Sequence, residues 1–181
     1  CLEIINGRHI LQEVKVQQII PNDTILDNKK LMIITGPNAS GKSIYIKQVG
    51  LIVYLAHIGS FVPAKSATIG VFDSIYTRIM STESVGSSSS SFLSDLNQIL
   101  PTLTSFSNRS LILIDEFGKG THFVDGISLL TAIINFWLRQ QNNCPFCFIT
   151  THFYEIFTND LIISKSSVLF KHMDTIFQET S

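Results

Sequence analysis

Leu31-Met-Ile-Ile-Thr35 runs directly into Gly36-Pro37-Asn38-Ala39-Ser40-Gly41-Lys42-Ser43, and the second stretch fits G-x-x-x-x-G-K-[ST] without a mismatch. A short, wholly apolar run that ends in a Gly/Pro/Asn cluster reads as a buried strand. Downstream, Ile44, Ile46, Val49, Ile52, Val53 and Ala56 fall close to one face of a helix from Lys42 to about Ile58. Strand, glycine-rich turn and helix, in that order, are the context a phosphate-binding loop needs. Backbone N–H groups of the turn and of the helix N-terminus then converge on the anion. Lys42 would add a point charge at the β- and γ-phosphates, and the Ser43 hydroxyl would ligate Mg²⁺. Gly36 through Ser43 are therefore the expected nucleotide-binding residues.

Two further apolar runs carry the remaining chemistry. Leu111-Ile-Leu-Ile114 leads to Asp115-Glu116. A carboxylate at that strand end can hold the magnesium shell. On an extended chain the next residue faces the other way. Asp115 is thus expected to manage the metal while Glu116 acts as the catalytic base on the attacking water. Phe146-Cys-Phe-Ile-Thr150 is the third such run, followed by Thr151-His152. Parallel strands bring their carboxyl ends to one edge, so His152 is expected beside Lys42 and Asp115 as a γ-phosphate sensor.

Elsewhere, Ile69–Ile79 is β-rich, Phe92–Phe106 is helical with a kink or break expected at Pro101, and Asp125–Gln141 is a helix. A short helix from Phe153 and a strand over Val168–Phe170 complete the alternation, which is that of an α/β domain with a mostly parallel sheet. There is no internal repeat.

A chain of 181 residues, 45% hydrophobic and 15% charged, has room for one domain and excludes wholesale disorder. Thirteen basic against fourteen acidic residues give a net charge of −1, unlike a free-standing nucleic-acid module. No stretch approaches the roughly 18 uninterrupted apolar residues of a membrane span, so no membrane partner is expected. The chain begins at Cys1 instead of Met, as expected of a piece of a larger protein. Cys144-Pro-Phe-Cys147 has the spacing of a redox motif or half a zinc site. It lacks a second ligand pair and runs into an apolar strand, which favours two core cysteines.

Taken together, Gly36–Ser43, Leu111-Ile-Leu-Ile-Asp-Glu-Phe-Gly-Lys-Gly-Thr121, Asp125-Gly126 and Thr151-His152-Phe153 closely resemble the ATPase domain of the MutS DNA mismatch-recognition family, a branch of the ABC-type ATPases. The likeness runs from about Gly7 through Phe157. It implies an α/β P-loop NTPase of ABC type, one ATPase domain over residues 1–181. The cofactors would be ATP and Mg²⁺, with DNA held by lever, clamp and recognition domains outside this chain. Members continue into further strands and a helix-turn-helix, so the resemblance implies C-terminal truncation.

The resemblance also implies that two such domains face each other and complete each other's sites. The trans element is a Ser at a helix start, in a stretch resembling Ser90-Ser-Phe-Leu-Ser-Asp-Leu96; Ser90 is the choice, with the register within Ser87–Ser91 left open. Gly118, Thr121 and Asp125 would cross the dimer interface, and Asn38 would touch the γ-phosphate. The aromatic that stacks on adenine is replaced by Ile19, in Ile19-Ile-Pro-Asn-Asp23, so the base would meet an aliphatic face.

Within the family, Gly7-Arg-His-Ile-Leu-Gln-Glu13, Lys42–Gly50, Gly59-Ser-Phe-Val-Pro-Ala64 and Asp115–Gly118 most resemble the branch of the fifth eukaryotic homologue, which acts in meiotic crossing-over. That branch implies a heterodimer with the fourth homologue, nuclear location and branched DNA intermediates. Mismatch repair is the alternative. A transporter motor is disfavoured, because Phe92-Leu-Ser-Asp-Leu96 does not supply a Leu-Ser-Gly-Gly-Gln signature.

Overall fold

The computed structural model describes residues 1–16, 19–79 and 88–174, with the backbone alone for Ser88–Ser91. The chain opens with β1 (Leu2–Gly7), the four-residue helix α1 (Ile10–Glu13), β2 (Asn22–Leu26), β3 (Leu31–Thr35) and α2 (Lys42–His57). It continues through β4 (Ser66–Ile69), β5 (Ser74–Arg78), α3 (Ser88–Thr104) and β6 (Ser110–Asp115). Then follow α4 (Phe123–Arg139), β7 (Phe146–Thr150), the short α5 (Glu155–Thr158) and β8 (Val168–His172).

Two sheets result. The larger has the order β5-β6-β7-β3-β8 and every pairing in it is parallel. The smaller, β2-β1-β4, is antiparallel. A parallel sheet buried on both faces needs strands that are apolar throughout, which is why the three runs read from the sequence show no polar alternation. Their alternate residues feed two cores. Ile33, Ile112, Ile114 and Ile149 pack with Leu130, Ile134 and Trp137 of α4 and Ile99 of α3. Met32, Ile34, Leu113 and Phe148 pack on the other face with Ile46, Val49 and Val53 of α2, together with Leu2, Ile4 and Leu26 of the small sheet. The Trp137 indole N–H donates to the Thr102 carbonyl at 3.1 Å and so ties α4 to α3.

Two expectations need correction, and one element was missed. Ile69–Ile79 is not one β-rich unit: β4 and β5 belong to different sheets. The stretch between them is pinned by Gly70 N–H to the Cys1 carbonyl (2.9 Å) and by Phe72 N–H to His57 Nε2 (2.8 Å). The helix read as Phe92–Phe106 starts earlier, at Ser88, and passes through Pro101 to Thr104. A proline removes one bond to the carbonyl four residues back, and here both Pro101 and Asn97 are exposed, so water can serve that carbonyl. The small sheet was not foreseen: Leu2–Gly7, Asn22–Leu26 and Ser66–Ile69 are short and mixed in polarity, and only their long-range pairing makes them strands.

Cys144 and Cys147 are both buried free thiols within the α4-side core. Burial pushes the Cys144 thiol up to about 11, with Lys30 opposing, and lifts Cys147 well above the ordinary range. Among the described residues no helix is long and apolar enough to cross a membrane.

Candidate nucleotide site

Parallel register brings the candidate residues to one edge. Ile34 pairs with Thr150, and Thr150 pairs with Asp115, so the ends of β3, β7 and β6 form a single row. Gly36 leaves β3 at that row, Glu116 leaves β6, and His152 lies two residues beyond β7. Three stretches far apart in sequence therefore open on the same surface, as expected of parallel strands.

The loop needs unusual backbone. Gly36 (φ 148°), Ala39 (φ 61°) and Gly41 (φ 92°) all have positive φ. A Cβ on Gly36 would stand 2.4 Å from the Met173 carbonyl oxygen, so only glycine fits there. At Gly41, the residue before α2, a Cβ would meet nothing within 4 Å. The helix N-terminus carries no side-chain cap, which leaves its first N–H groups without a capping side chain. Ser40 Oγ is buried with no hydrogen-bond partner among the described residues.

Lys42 is 3% exposed and folds back, its Nζ donating to the Gly36 and Pro37 carbonyls at 2.9 and 2.7 Å. The same Nζ is 3.6 Å from Glu116 Oε1. Ser43 Oγ donates to Asp115 Oδ1 at 2.9 Å, and Thr150 Oγ1 donates to that oxygen at 2.6 Å. The first turn of α2, the end of β6 and the end of β7 thus meet at one carboxylate oxygen.

Glu116 departs from the expectation of an extended chain. Its φ is 49°, in the left-handed region, so the chain turns sharply at this residue. Its N–H bonds both the carbonyl (3.1 Å) and the hydroxyl (3.1 Å) of Thr150, which fixes the turn. Positive φ in a non-glycine residue is costly and is found where a side chain must be aimed. The carboxylate ends between two lysines, with Lys119 Nζ donating to Oε2 at 2.8 Å. Burial would raise the Glu116 carboxyl. The hydrogen bond and charge of Lys119, then the charges of Lys42 and His152, more than offset burial and hold it below its usual value.

His152 is half-buried, its Nδ1 shielded and without a hydrogen-bond partner among the described residues. Burial lowers its pKa, the Glu116 charge opposes, and Lys119 and Lys42 add to the lowering. The imidazole is therefore neutral at neutral pH and able to donate from one ring nitrogen.

These donors fit a magnesium nucleoside triphosphate. A buried ammonium, uncapped helix N–H groups and an unpaired Ser40 hydroxyl suit phosphate oxygens. A hydroxyl and a carboxylate within hydrogen-bond distance suit a hard, oxygen-seeking cation. Pro37, Asn38 and Ala39 form the exposed lip of the loop. Ile19 lines the same cleft as Ser40 and Gly41.

A family profile described as MutS domain V matches residues 32–180. The chain belongs to the MutS family. Domain V of that family is a P-loop ATPase-type domain, which agrees with the parallel sheet and the loop described above. MutS protein homolog 5 of Saccharomyces cerevisiae is 45% identical over 96% of this chain and 20% of its own length. MutS protein homolog 5 of Caenorhabditis elegans is 46% identical over 72% of this chain and 10% of its own. DNA mismatch repair protein MutS of Desulfitobacterium hafniense is 41% identical over 95% of this chain and 20% of its own. The chain thus spans a fifth or less of the length of these relatives.

Of the interface residues inferred from the MutS resemblance, Gly118 and Thr121 lie in the turn between β6 and α4. Gly118 is buried, Thr121 half-buried and Asp125 exposed in the first turn of α4. Ser90 lies on the first turn of α3, and its side chain is outside the described residues, as is all of Ser87.

Sequence reasoning missed four residues here. Thr150 was legible in principle, a hydroxyl closing an apolar strand at the row of Asp115. Lys119 stands three residues after Glu116, a spacing that brings side chains together in a turn. Arg78 and Asp95 gave no local signal: the Arg78 guanidinium donates both to the Asp95 carboxylate and to the Asp115 carbonyl, a contact set by the packing of α3 on β5.

Proposed function

We propose that this chain is the ATP-binding and ATP-hydrolysing domain of a MutS-family DNA clamp acting in meiotic recombination. The observation that carries the reading is the convergence of Lys42, Ser43, Asp115 and Glu116, with Lys42 Nζ 3.6 Å from Glu116 and Ser43 Oγ 2.9 Å from Asp115. Gly36 through Ser43 hold the phosphates of ATP, with Asn38 reaching the γ-phosphate from the lip of the loop. Ser43 and Asp115 hold Mg²⁺, which when bound neutralises charge on the β- and γ-phosphates. Glu116 takes a proton from the attacking water as its oxygen bonds to the γ-phosphorus. The bond to the bridging oxygen breaks, and that electron pair leaves with ADP. His152 donates a hydrogen bond to the γ-phosphate.

Residues 1–181 act as one ATPase domain, with DNA bound by other parts of the protein. A second MutS-homologue domain completes the site through Ser90, Gly118, Thr121 and Asp125, and ATP binding closes the pair while hydrolysis resets it. The proposed partner is the fourth homologue, and the proposed location is the nucleus. The meiotic branch is favoured by two relatives named MutS protein homolog 5, at 45 and 46% identity. Relatives named for DNA mismatch repair, at 41%, support mismatch repair as the second reading.

The test is a pair of variants in the full chain. Lys42→Ala abolishes ATP binding. Glu116→Ala keeps binding and loses turnover by about 10²–10⁴-fold. Parent-rate turnover in Glu116→Ala would remove the base assignment. Stimulation of turnover by branched DNA above mispaired duplex favours the meiotic branch, and the reverse order favours repair.

A further inference from the structure

One peptide group joins Asp115, the proposed metal ligand, to Glu116, the proposed base, and it is gripped at both ends. Its N–H, that of Glu116, bonds the carbonyl and the hydroxyl of Thr150, each at 3.1 Å. Its C=O, that of Asp115, accepts from Arg78 Nη1. A peptide group is planar, so two held ends on opposite sides set the orientation of the whole plane. Glu116 leaves that plane at φ 49°, and the backbone that aims its carboxylate is thereby set as well.

Arg78 reaches that carbonyl because two neighbours hold it. It closes β5, where it pairs with Ile114, the residue before Asp115. Its Nε donates to Asp95 Oδ1 at 3.1 Å, and its Nη2 donates to the same oxygen. One edge of the planar guanidinium is thus spent on the α3 carboxylate, and Nη1 is left for the carbonyl. Arg78 and Asp95 are both buried, so these bonds form away from bulk water, where charge-assisted hydrogen bonds are strong. A buried ion pair is weak evidence for stability on its own, since an apolar pair can do as well. The carbonyl contact gives this pair a second use. Asp95 follows Ser90 by five residues in α3, so the same fork ties the helix proposed to reach the partner domain to the base.

We infer that Arg78 is a positioning residue for hydrolysis: its bond to the Asp115 carbonyl holds the Asp115–Glu116 peptide so that Glu116 stays aimed at the attacking water, and Asp95 holds Arg78 for that task. The inference rests on the ATPase reading above. Arg78 acts through Glu116 and not on the phosphates. Its loss therefore lowers turnover and leaves ATP binding by the loop as it was. A small misplacement of a reacting group is enough for a large effect, because the barrier depends steeply on geometry.

The test measures ATP affinity, turnover and denaturant midpoint of the full chain in two variants. Arg78→Lys keeps a charge for Asp95 but has no fork to span carboxylate and carbonyl at once. Arg78→Met with Asp95→Leu leaves no buried charge unpaired. Both are expected to bind ATP as the parent does and to turn over about 10²-fold more slowly. Parent-rate turnover in either folded variant overturns the inference and makes the pair structural only. Equal losses of affinity and turnover also overturn it, since the effect would then travel through the phosphate loop. The route is checked by adding Arg78→Lys to Glu116→Ala, where no further loss is expected because the group that Arg78 positions is already gone. A further loss of the same size there overturns the inference. A parent that neither binds nor hydrolyses ATP defeats the ATPase reading instead, and this inference with it.

Discussion

Ser43 Oγ donates to Asp115 Oδ1 across 2.9 Å, joining the first turn of α2 to the end of β6. A magnesium ion needs oxygen ligands at about 2.0–2.1 Å in near-octahedral array. To serve it, both groups must exchange this hydrogen bond for the cation. Thr150 Oγ1, which donates to the same oxygen at 2.6 Å, keeps the carboxylate oriented during that exchange. Thr150→Val is therefore expected to raise the Mg²⁺ concentration for half-maximal ATP turnover about tenfold. Ser43→Ala should raise it further, because a ligand and not its support is lost. A magnesium titration of turnover checks both, and an unshifted requirement in Ser43→Ala removes that hydroxyl from the metal shell.

Lys119 holds Glu116 ionised. Burial favours the neutral carboxyl, and the lysine's hydrogen bond and charge are the largest effects that offset it. Lys119→Met leaves burial less opposed, so the Glu116 pKa rises and the acid limb of the pH–rate profile moves to higher pH. The same change bears on stability. A carboxyl held low contributes stability that is present above its ordinary value of 4.5 and is lost as pH falls through the lowered folded value. Denaturation of parent and Lys119→Met between pH 3 and 7 should show a smaller acid-linked loss in the variant. An unmoved acid limb would assign that limb to another group.

The phosphate loop, the two carboxylates and His152 were legible because each closes or follows a fully apolar run, and parallel strands end together. Local pattern was enough to place Lys42, Asp115 and His152 on one edge. The turn at Glu116 was not legible, since positive φ at a glutamate follows from the two bonds its N–H makes to Thr150, a residue 34 positions away. The small sheet escaped for a related reason. Its strands alternate poorly, and Leu2, Ile4 and Leu26 count as core only once α2 and the large sheet lie against them.

Arg78 and Asp95 form a buried ion pair between β5 and α3, with side chains only 4 and 10% exposed. The guanidinium also donates to the main-chain carbonyl of Asp115. Removing one partner strands a buried charge, whereas removing both does not. Arg78→Met alone should cost about 3–5 kcal/mol, and Arg78→Met with Asp95→Leu much less than the two single changes summed. Denaturant unfolding of the four members of the cycle measures this. Additive losses would mean that the pair carries no coupling.

Gly118 meets Gly126 where the turn after β6 returns to α4. With φ 84°, Gly118 sits where an L side chain is strained, and a Cβ on it would stand 2.9 Å from Gly126 Cα. A Cβ on Gly126 would stand 2.8 Å from the Gly118 carbonyl oxygen and 2.9 Å from Phe153 Cζ. Either alanine pushes the same two backbones apart, so each single change is expected to cost on the order of 1–3 kcal/mol. The double variant should cost less than their sum, because separation for one methyl already makes room for the other. The displaced turn carries Lys119, whose contact with Glu116 spans only 2.8 Å. Gly118→Ala should therefore shift the acid limb of the pH–rate profile upward, in the same direction as Lys119→Met, beyond any loss of folded protein. Combining Gly118→Ala with Lys119→Met then adds no further shift, since the contact that sets it is already gone. A separate, additive shift would show that Gly118 acts on Glu116 by a route other than Lys119.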